Sequence, residues 1–319
     1  MVCVLKGLGL MRLGSICFSA LLVAACSGGE EAREAPPPPV ETAPQPIADR
    51  PSPIAKALQM YKLDCGLIDI SDLDGFSSAG DYAGIADTFA STCWLIRHPE
   101  GDLLWDLGLP TGLVGNGEQK NGVFTLSMER TLSDQLVEIG LFASDVDTIS
   151  ISHSHFDHSG QADQFQKAKW LVHTDEYAAM FPSEREAAAI ASSDEETDAS
   201  TVNPFLDFAS LEREEFTGDH DVFGDGSVII IPTPGHTVGH TSLFVDLPET
   251  GPVLLTGDLY HRRESRSLKR VPRFNFAEPA TIASMELFEA RAEAAGARIL
   301  IQHDFDDIAD LPNSPAPIR

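Results

Sequence analysis

Short runs of alternating or continuous hydrophobic residues recur along the chain from about residue 55, and this pattern is typical of β-strands. The runs are rich in Val, Ile, Leu and aromatic residues, as expected of strands that are buried on one or both faces. Predicted strands lie at Gln59–Asp64, Thr92–Arg97, Leu103–Asp106, Thr148–Ser152, Trp170–His173, Val228–Ile231, Thr241–Val245, Val253–Thr256 and Arg298–Gln302.

Helical periodicity lies between some of these strands and after them. Predicted helices lie at Ser133–Ile139, Asp175–Met180, Ser183–Ile190 and Pro279–Ala294. Many strands with helices distributed among them predict an α/β fold in which the sheet lies inside. Neither an internal repeat nor a second linker follows Ala55, so we predict one domain over residues 55–319, with an acidic surface loop at 193–202.

The first 25 residues have the layout of a secretory signal peptide. Lys6 and Arg12 precede an uncharged apolar stretch at 13–25, which is too short to span a bilayer comfortably. The stretch ends in Val23-Ala24-Ala25-Cys26, which resembles a bacterial lipobox. We therefore expect cleavage before Cys26 and a lipid on that cysteine; the alternative is an ordinary signal cleaved near Ala25.

Residues 26–54 are rich in proline and glutamate, with four consecutive prolines at 36–39. Such a segment cannot bury enough apolar surface to order itself, so it is predicted to be a flexible tether. The Ser27-Gly28 pair after the cysteine favours the outer membrane, by resemblance to enterobacterial sorting. We expect a lipid-anchored protein of the cell envelope, at the outer membrane and facing the periplasm; the alternative is a disordered tail without an anchor.

Composition excludes one class of partner. Of the 319 residues, 49 are acidic and 22 basic, which gives a formal net charge of -27 at pH 7. A chain with this much negative charge repels phosphate backbones. We therefore predict no nucleic-acid partner. The five cysteines contain no C-x-x-C pair and are too few for a disulfide scaffold.

The candidate chemistry is concentrated in residues 153–158, which read His-Ser-His-Phe-Asp-His and directly follow a predicted strand. Neutral imidazoles with a carboxylate are preferred ligands of zinc-like cations. His236, Asp258 and His303 follow later, each at the end of a β-like run. Together these residues supply five histidines and two aspartates, more than one tetrahedral zinc can use. We therefore expect two divalent metal ions, with zinc as the expected metal.

This series of motifs, in order from residue 153 to 303, resembles the metallo-β-lactamase superfamily. The resemblance implies an αββα sandwich with a dimetal site at the edge of its two sheets. It implies that one metal is held by His153, His155 and His236, and the other by Asp157, His158 and His303. Asp258 would bridge them, and Asp106 would brace the metal loop from behind the ligands. The other histidines, His98, His173, His220 and His240, have no comparable context and are expected to be surface or structural residues.

Within the superfamily, the chain is similar to the N-acyl homoserine lactonases. The similarity lies in residues 258–262, 270–276 and 301–304, and in the Cys65-Gly66 and Cys93–Ile96 segments. It implies hydrolysis of the lactone ring of acylated quorum-sensing signals by a metal-bound hydroxide, with Asp157 relaying a proton to the leaving group. The alternatives are the same dimetal site acting on a phosphoester, a glutathione thioester or a β-lactam, and, more remotely, a non-catalytic metal-binding lipoprotein.

One departure from these lactonases concerns substrate contact. They place a tyrosine three positions after the bridging aspartate, whereas this chain has Tyr260 at the second position and His261 at the third. Tyr260 and His261 are therefore both candidate catalytic residues beside Asp157, unless both are structural or the substrate is not a homoserine lactone. An acyl chain would need an apolar groove, whose candidate walls are Phe205, Phe208, Phe274 and Phe276.

Two further features keep alternatives open. Six cations lie within residues 262–273, and their default interpretation is a solvated loop neutralised by nearby acids. Otherwise the segment could line the mouth of the site or face lipid headgroups. Cys65 and Cys93 could form a disulfide in an oxidising periplasm, or remain two buried thiols on neighbouring strands.

Overall fold

The structure is a computed structural model that describes residues 58–183 and 203–319. The predicted signal peptide, Cys26, the tether, nearly all of the predicted helix Ser183–Ile190 and the acidic loop lie outside the described residues. Among the residues that are described, no helix is both long and apolar enough to cross a membrane.

Two β-sheets form the centre of the described domain, and their strands follow the chain order closely. The first sheet has eight strands, β1 (Gln59–Ile70), β2 (Asp87–His98), β3 (Gly101–Trp105), β4 (Gln119–Asn121), β5 (Phe124–Ser127), β6 (Thr148–Ser150), β7 (Lys169–His173) and β8 (Arg213–Phe216), in the order β4-β5-β1-β2-β3-β6-β7-β8. The second has five, β9 (His220–Asp221), β10 (Val228–Pro232), β11 (Thr241–Leu247), β12 (Gly251–Leu255) and β13 (Arg298–Leu300), in the order β13-β12-β11-β10-β9.

Helices lie on the outer faces of the sheets and in the loops. The α-helices are α1 (Leu132–Glu138), α2 (Phe156–Ser159), α3 (Thr174–Met180), α4 (Leu206–Ala209), α5 (Arg263–Leu268), α6 (Glu278–Ala295) and α7 (Phe305–Ile308). Short 3-10 turns lie at Leu73–Phe76, Thr111–Leu113, Ala143–Asp145, Ala162–Phe165 and Gly257–Leu259.

Three buried clusters define the layers. Between the sheets, Trp94 and Trp105 of the first pack with Leu243 of the second. The outer face of the first sheet packs against α1 and α3, and the outer face of the second packs against Met285 and Phe288 of α6. This is the predicted αββα arrangement of the metallo-β-lactamase type. Because both faces of the central strands are buried, their sequences read as nearly continuous hydrophobic runs.

Strand direction brings the candidate ligands to one edge. β3 pairs in parallel with β6, and β12 pairs in parallel with β13. The segments that follow these four strands carry Asp106, His153, Asp258 and His303 respectively. In α/β sheets, ligands bind outside the carboxyl ends of the strands. The topology therefore gathers residues that are up to 197 positions apart in the chain at this edge of the sandwich.

A disulfide joins Cys65 of β1 to Cys93 of β2, so of the two alternatives for these cysteines the structure has the bonded one. The bond lies directly beneath the segment that follows β3. A Cβ atom added at Gly108, where φ is +61°, would lie 2.3 Å from the Cβ of Cys65 and 3.1 Å from the Sγ of Cys93. Only glycine fits this close approach.

Candidate metal centre

Seven side chains converge in two groups at the sheet edge. His153, His155, His236 and Asp258 form one group, and Asp157, His158 and His303 form the other; within each group the ligand atoms lie within 4.8 Å of one another. Asp258 faces both groups. Its Oδ1 lies 2.9 Å from His303 Nε2 and 3.1 Å from His158 Nε2, while its Oδ2 lies 3.2 Å from His236 Nε2. Asp258 therefore has the position that a bridging carboxylate requires.

Local backbone geometry delivers the first group. His153 and His155 lie in the turn after β6, and His155 caps the short helix α2. His236 lies in the connection between β10 and β11, where Gly235 has φ of +135°. A Cβ atom at Gly235 would lie 2.3 Å from the backbone nitrogen of Thr281, so glycine allows this loop to seat against α6.

Hydrogen bonds fix the tautomers of two ligands. His303 Nδ1 donates to the carbonyl of Ala90 at 2.7 Å, and His158 Nδ1 donates to Asp106 Oδ2 at 3.0 Å. Their Nε2 atoms, with lone pairs exposed, then face each other at 3.1 Å. Facing lone pairs repel unless a proton or a cation lies between them.

Burial indicates that a cation also belongs in the group formed by His153, His155, His236 and Asp258. His153 Nε2 is buried and has no hydrogen-bond partner in the described part of the chain. His236 Nε2 lies 3.0 Å from His155 Nδ1, another close pair of ring nitrogens. Unpaired buried nitrogens are costly in a protein without a cation. The donor set of five imidazoles and two carboxylates fits two zinc-like ions.

The electrostatics of the cluster divide the histidines. Burial lowers the pKa values of His153 and His236, and lowers that of His155 to about 4, so these imidazoles are neutral ligands at neutral pH. Burial also disfavours the charged forms of His158 and His303, but the negative charge of Asp258 outweighs it and raises their pKa values. The carboxylates of the cluster thus favour positive charge, which bound cations would supply.

Asp106 lies behind His158, where the resemblance placed it. The residue adopts φ of +60°, which is uncommon outside glycine, and its carboxylate is fully buried. It accepts hydrogen bonds from the Ser152 amide at 2.6 Å and from Gln302 Nε2 at 2.9 Å, as well as from His158. Asp106 therefore ties the segments after β3, β6 and β13 to a single metal ligand.

Two residues that position the ligands were not predicted as such. Glu176 of α3 accepts from the Ser154 amide at 2.7 Å and from the hydroxyl of Thr237 and the amide of Gly239 at 2.7 and 3.0 Å. His240 donates from Nδ1 to the Thr233 carbonyl and accepts from the Asp258 amide at 2.9 Å. Its place four residues after His236 is a sequence signal for His240, whereas Glu176 reads as an ordinary helical surface residue.

The three candidate catalytic residues have different placements. Asp157 Oδ2 lies 3.6 Å from the Nε2 atoms of both His158 and His303. His261 lies within the cluster, with its Nε2 atom 3.0 Å from Asp258 Oδ2.

Tyr260 faces away from the cluster. Its ring is buried beside α6, and its hydroxyl donates to Glu289 at 3.0 Å. The predicted substrate contact by Tyr260 is therefore wrong. Tyr260 has an extended backbone, with φ of -139° and ψ of 131°, so the side chains of Tyr260 and His261 project in opposite directions.

A cavity of about 320 Å³ opens directly on the cluster. Its polar lining consists of His155, Asp157, Asp258, His261 and His303. Its apolar lining consists of Ile68, Ile70, Phe76, Phe89, Phe124, Phe156 and Phe274. Most of this wall comes from β1, β2, β5 and the loop after β1, whose contribution the sequence pattern did not reveal.

Of the predicted groove residues, Phe274 lines this cavity and three others do not. Phe208 is buried in the core, with its ring centroid 4.7 Å from that of Trp170. Phe276 is 68% exposed and lies outside the cavity lining. Phe205 packs against the core and lines a neighbouring cavity of about 540 Å³, which shares His155 and Phe156 with the first. Phe208 also lines this second cavity, so the groove role of Phe205 and Phe208 stays a prediction. The prediction is wrong for Phe276, because spacing alone does not reveal which face of a loop packs inward.

The cations of residues 262–273 are paired with acids rather than free. Part of this basic segment is helix α5, which the sequence pattern did not predict because it lacks an apolar periodicity. The pairs are Arg262 with Asp87, Arg263 with Asp307, Arg266 with Glu289, Lys269 with Glu286, Arg270 with Asp81, and Arg273 with Asp74. Neutralisation by neighbouring acids is the interpretation that the structure supports.

Comparisons with known proteins agree with this fold and this cluster. The N-acyl homoserine lactonase AttM of Rhizobium radiobacter is 29% identical over 232 residues, which is 70% of this chain and 84% of that protein. The lactonase AiiA of Bacillus thuringiensis subsp. kurstaki is 29% identical over 221 residues, covering 67% and 81%. A solved N-acyl homoserine lactone hydrolase, with N-hexanoyl-L-homoserine bound at its catalytic metal centre, matches with a TM-score of 0.68 at 25% identity, covering 82% of this chain and 99% of that chain.

The family model for the metallo-beta-lactamase superfamily matches residues 86–310, which include all seven clustered side chains and Asp106. Because this match covers more than half of the chain, the protein belongs to the metallo-β-lactamase superfamily.

Proposed function

We propose that the protein is a dizinc lactonase that opens N-acyl homoserine lactones. The observation that carries the proposal is the aromatic cavity that opens directly on the metal cluster, with ligand residues forming part of its wall. A polar ring held at the cluster and an apolar chain in the cavity match the two parts of such a substrate. The related lactonases and the product-bound hydrolase support this choice of bond.

Two zinc ions held here would supply a water of lowered pKa as the nucleophile and would polarise the lactone carbonyl. His153, His155 and His236 would hold one ion and Asp157, His158 and His303 the other, with Asp258 between them. Water adds to the carbonyl carbon, the ring C–O bond breaks, and a carboxylate and an alcohol form. Asp157, which lines the cavity, would carry one proton of that water to the departing ring oxygen, and the other proton is released to solvent.

His261 is the remaining candidate for the substrate contact that Tyr260 does not make. Its side chain is 7% exposed and lies in the cavity wall, and its ring stacks on that of His303 at a centroid distance of 5.8 Å. Its Nε2 atom lies 3.0 Å from Asp258 Oδ2, and both residues line the cavity, so a lactone bound at the cluster would lie beside this ring. We propose that His261 orients the lactone by hydrogen bonding.

We also propose that the protein is anchored in the cell envelope by a lipid. The lipobox-like residues 23–26 support a lipid on Cys26, and the Cys65–Cys93 disulfide favours an oxidising compartment such as the periplasm. Residues 26–54 would then hold the domain away from the outer membrane.

Substrate competition tests the proposed bond. Zinc-loaded mature protein is offered N-hexanoyl homoserine lactone beside nitrocefin, a phosphotriester and a glutathione thioester. We expect lactone opening to have the highest kcat/KM, because it alone combines a strained ester with an apolar chain. The Asp258→Ala variant should lose most activity and bind fewer than two zinc ions per chain. Turnover of another substrate without lactone opening would overturn the proposal.

A further inference from the structure

Two arginines of the basic segment reach across to the loop after β1. Arg273 binds Asp74 in a two-point arrangement, with Nη1–Oδ2 at 2.6 Å and Nη2–Oδ1 at 2.9 Å. Arg270 binds Asp81 through both Nε and Nη2. Ser77 also donates to Asp81, at 2.7 Å. We call residues 270–276 the strap and residues 72–82 the facing loop.

Backbone hydrogen bonds join the same two segments. The amide of Ser78 donates to the Val271 carbonyl at 2.7 Å, and the amide of Arg273 donates to the Gly75 carbonyl at 2.8 Å. The strap continues to the His236 turn, where the Phe276 amide donates to the His236 carbonyl at 3.0 Å. The strap thus connects the facing loop with a metal-ligand loop.

Each of these segments contributes one aromatic ring to the wall of the cavity. Phe76 of the facing loop and Phe274 of the strap meet edge to face, with ring centroids 5.2 Å apart. Phe76 also lies 5.2 Å from His261, and Phe274 lies 6.0 Å from His236. A movement of the strap away from the facing loop would separate these two rings and widen the cavity.

The ion pairs are the parts of this contact most easily changed. Single exposed ion pairs contribute little, but two-point arginine–carboxylate pairs have the more favourable geometry. Both pairs are partly exposed, so salt should weaken them. The cavity, at about 320 Å³, is near the lower end of the size range of ligand sites. Its small volume therefore favours short apolar chains.

We propose that Asp74 and Asp81 are specificity-determining positioning residues, which hold Phe76 and Phe274 together through Arg273 and Arg270 and thereby restrict the acyl chain to short lengths. This inference rests on the proposed function for the nature of the chain. Neither aspartate touches the metal cluster, so their removal should change chain selectivity more than it changes catalysis of short substrates.

The test compares the double variant Asp74→Asn/Asp81→Asn with wild type on N-hexanoyl and N-dodecanoyl homoserine lactone. We expect the hexanoyl-to-dodecanoyl ratio of kcat/KM to fall about fivefold, the effect of losing partly exposed ion pairs, chiefly through a lower KM for the dodecanoyl substrate. Wild type in about 0.5 M NaCl should shift in the same direction, and the variant should not respond to salt. Arg273→Gln serves as a second variant should the double variant fold poorly.

Asp310→Asn is the matched control. Asp310 forms a two-point pair with Arg298, at 2.7 and 2.8 Å, but neither residue lines the cavity. The control should keep the wild-type selectivity. An unchanged ratio in both test variants, or an equal shift in Asp310→Asn, would overturn the inference.

Calorimetry and hydrogen exchange test this inference independently of the proposed function. Calorimetry with hexanoate and dodecanoate, whose carboxylate can occupy the zinc centre, reports chain selectivity even if no lactone is opened. Hydrogen exchange at the Ser78 and Arg273 amides should accelerate in the double variant and not in Asp310→Asn. Wild type without lactone turnover would overturn the proposed function alone. If calorimetry finds the same hexanoate-to-dodecanoate affinity ratio in wild type and in the double variant, the inference is overturned and the proposed function is not.

Discussion

Glu176 shows, at the scale of one residue, how a side chain outside the motifs controls the metal ligands. The residue is 2% exposed, and its carboxylate accepts three hydrogen bonds, one from the amide between His153 and His155 and two from the loop after His236. Gly239 also approaches it so closely that a Cβ atom there would lie 2.2 Å from the Glu176 amide nitrogen. The carboxylate therefore joins the two loops that supply one metal site.

Glu176→Gln should weaken zinc binding at the site of His153, His155 and His236. An amide has one acceptor oxygen and directs its NH₂ group at a donor, so one of the two loops loses its bond. We expect zinc affinity at this site to fall about 10- to 100-fold, as is usual when a residue behind metal ligands is changed. Chelator competition followed by metal analysis measures the effect. The exposed Glu138→Gln is the control, and equal zinc retention in both variants would contradict the prediction.

Single residues also show the limit of sequence reasoning at this site. The histidine and aspartate ligands could be predicted because they lie at strand ends, where topology brings them together. Tyr260 and His261 differ by one position, and an extended backbone sends neighbouring side chains to opposite sides. Spacing from Asp258 therefore could not decide between them, and neither could it reveal Glu176, whose three partners come from two distant loops.

At the scale of elements, long buried strands were predictable and short exposed ones were not. β2 and β11 carry the continuous hydrophobic runs that indicate burial on both faces. β4 is fully exposed and has the sequence Gln-Lys-Asn, so tertiary pairing with β5 determines it. Because β5 carries Phe124, missing this pair of strands also meant missing part of the cavity wall.

The disulfide between β1 and β2 supports the segment that carries Asp106. Gly108 packs on the two sulfurs, and its carbonyl accepts from Gly160 at 2.8 Å, just after α2. Loss of the bond should therefore remove support from the segment that carries Asp106. It should also favour the unfolded state, because the unfolded chain gains conformational freedom. The closed loop spans 28 positions, a size for which about 2 to 4 kcal/mol of stabilisation is typical.

Cys65→Ala/Cys93→Ala should lower the free energy of unfolding by about 2 to 4 kcal/mol. Urea unfolding of the zinc-loaded variant and of wild type measures the difference, and the m-value shows whether the transition stays two-state. Wild type treated with a phosphine reductant should behave like the variant. If the reductant leaves the unfolding midpoint unchanged and thiol titration finds both cysteines free, the disulfide does not form in the protein.

At the scale of the whole molecule, the net negative charge determines how the protein meets a membrane surface. Removing residues 1–25, which hold Lys6 and Arg12 and no acidic residue, leaves 49 acidic and 20 basic side chains and a formal charge of -29. Several of the remaining cations are bound in the strap and α5 pairs, so they offer little attraction to anionic headgroups. Such a body should not adsorb to a bacterial membrane by charge.

Under the proposed lipidation, membrane association should depend on Cys26. In Cys26→Ser, loss of the proposed lipid would remove about 0.8 kcal/mol of membrane affinity per buried CH₂ group. We expect the variant in the soluble fraction, with kcat/KM unchanged because the metal centre lies in a separate part of the chain. Fractionation and intact-mass measurement test this, with Ser27→Ala as the control that keeps the cysteine. A membrane-bound Cys26→Ser variant would contradict lipidation, and a soluble Ser27→Ala variant would show that fractionation does not report on the lipid.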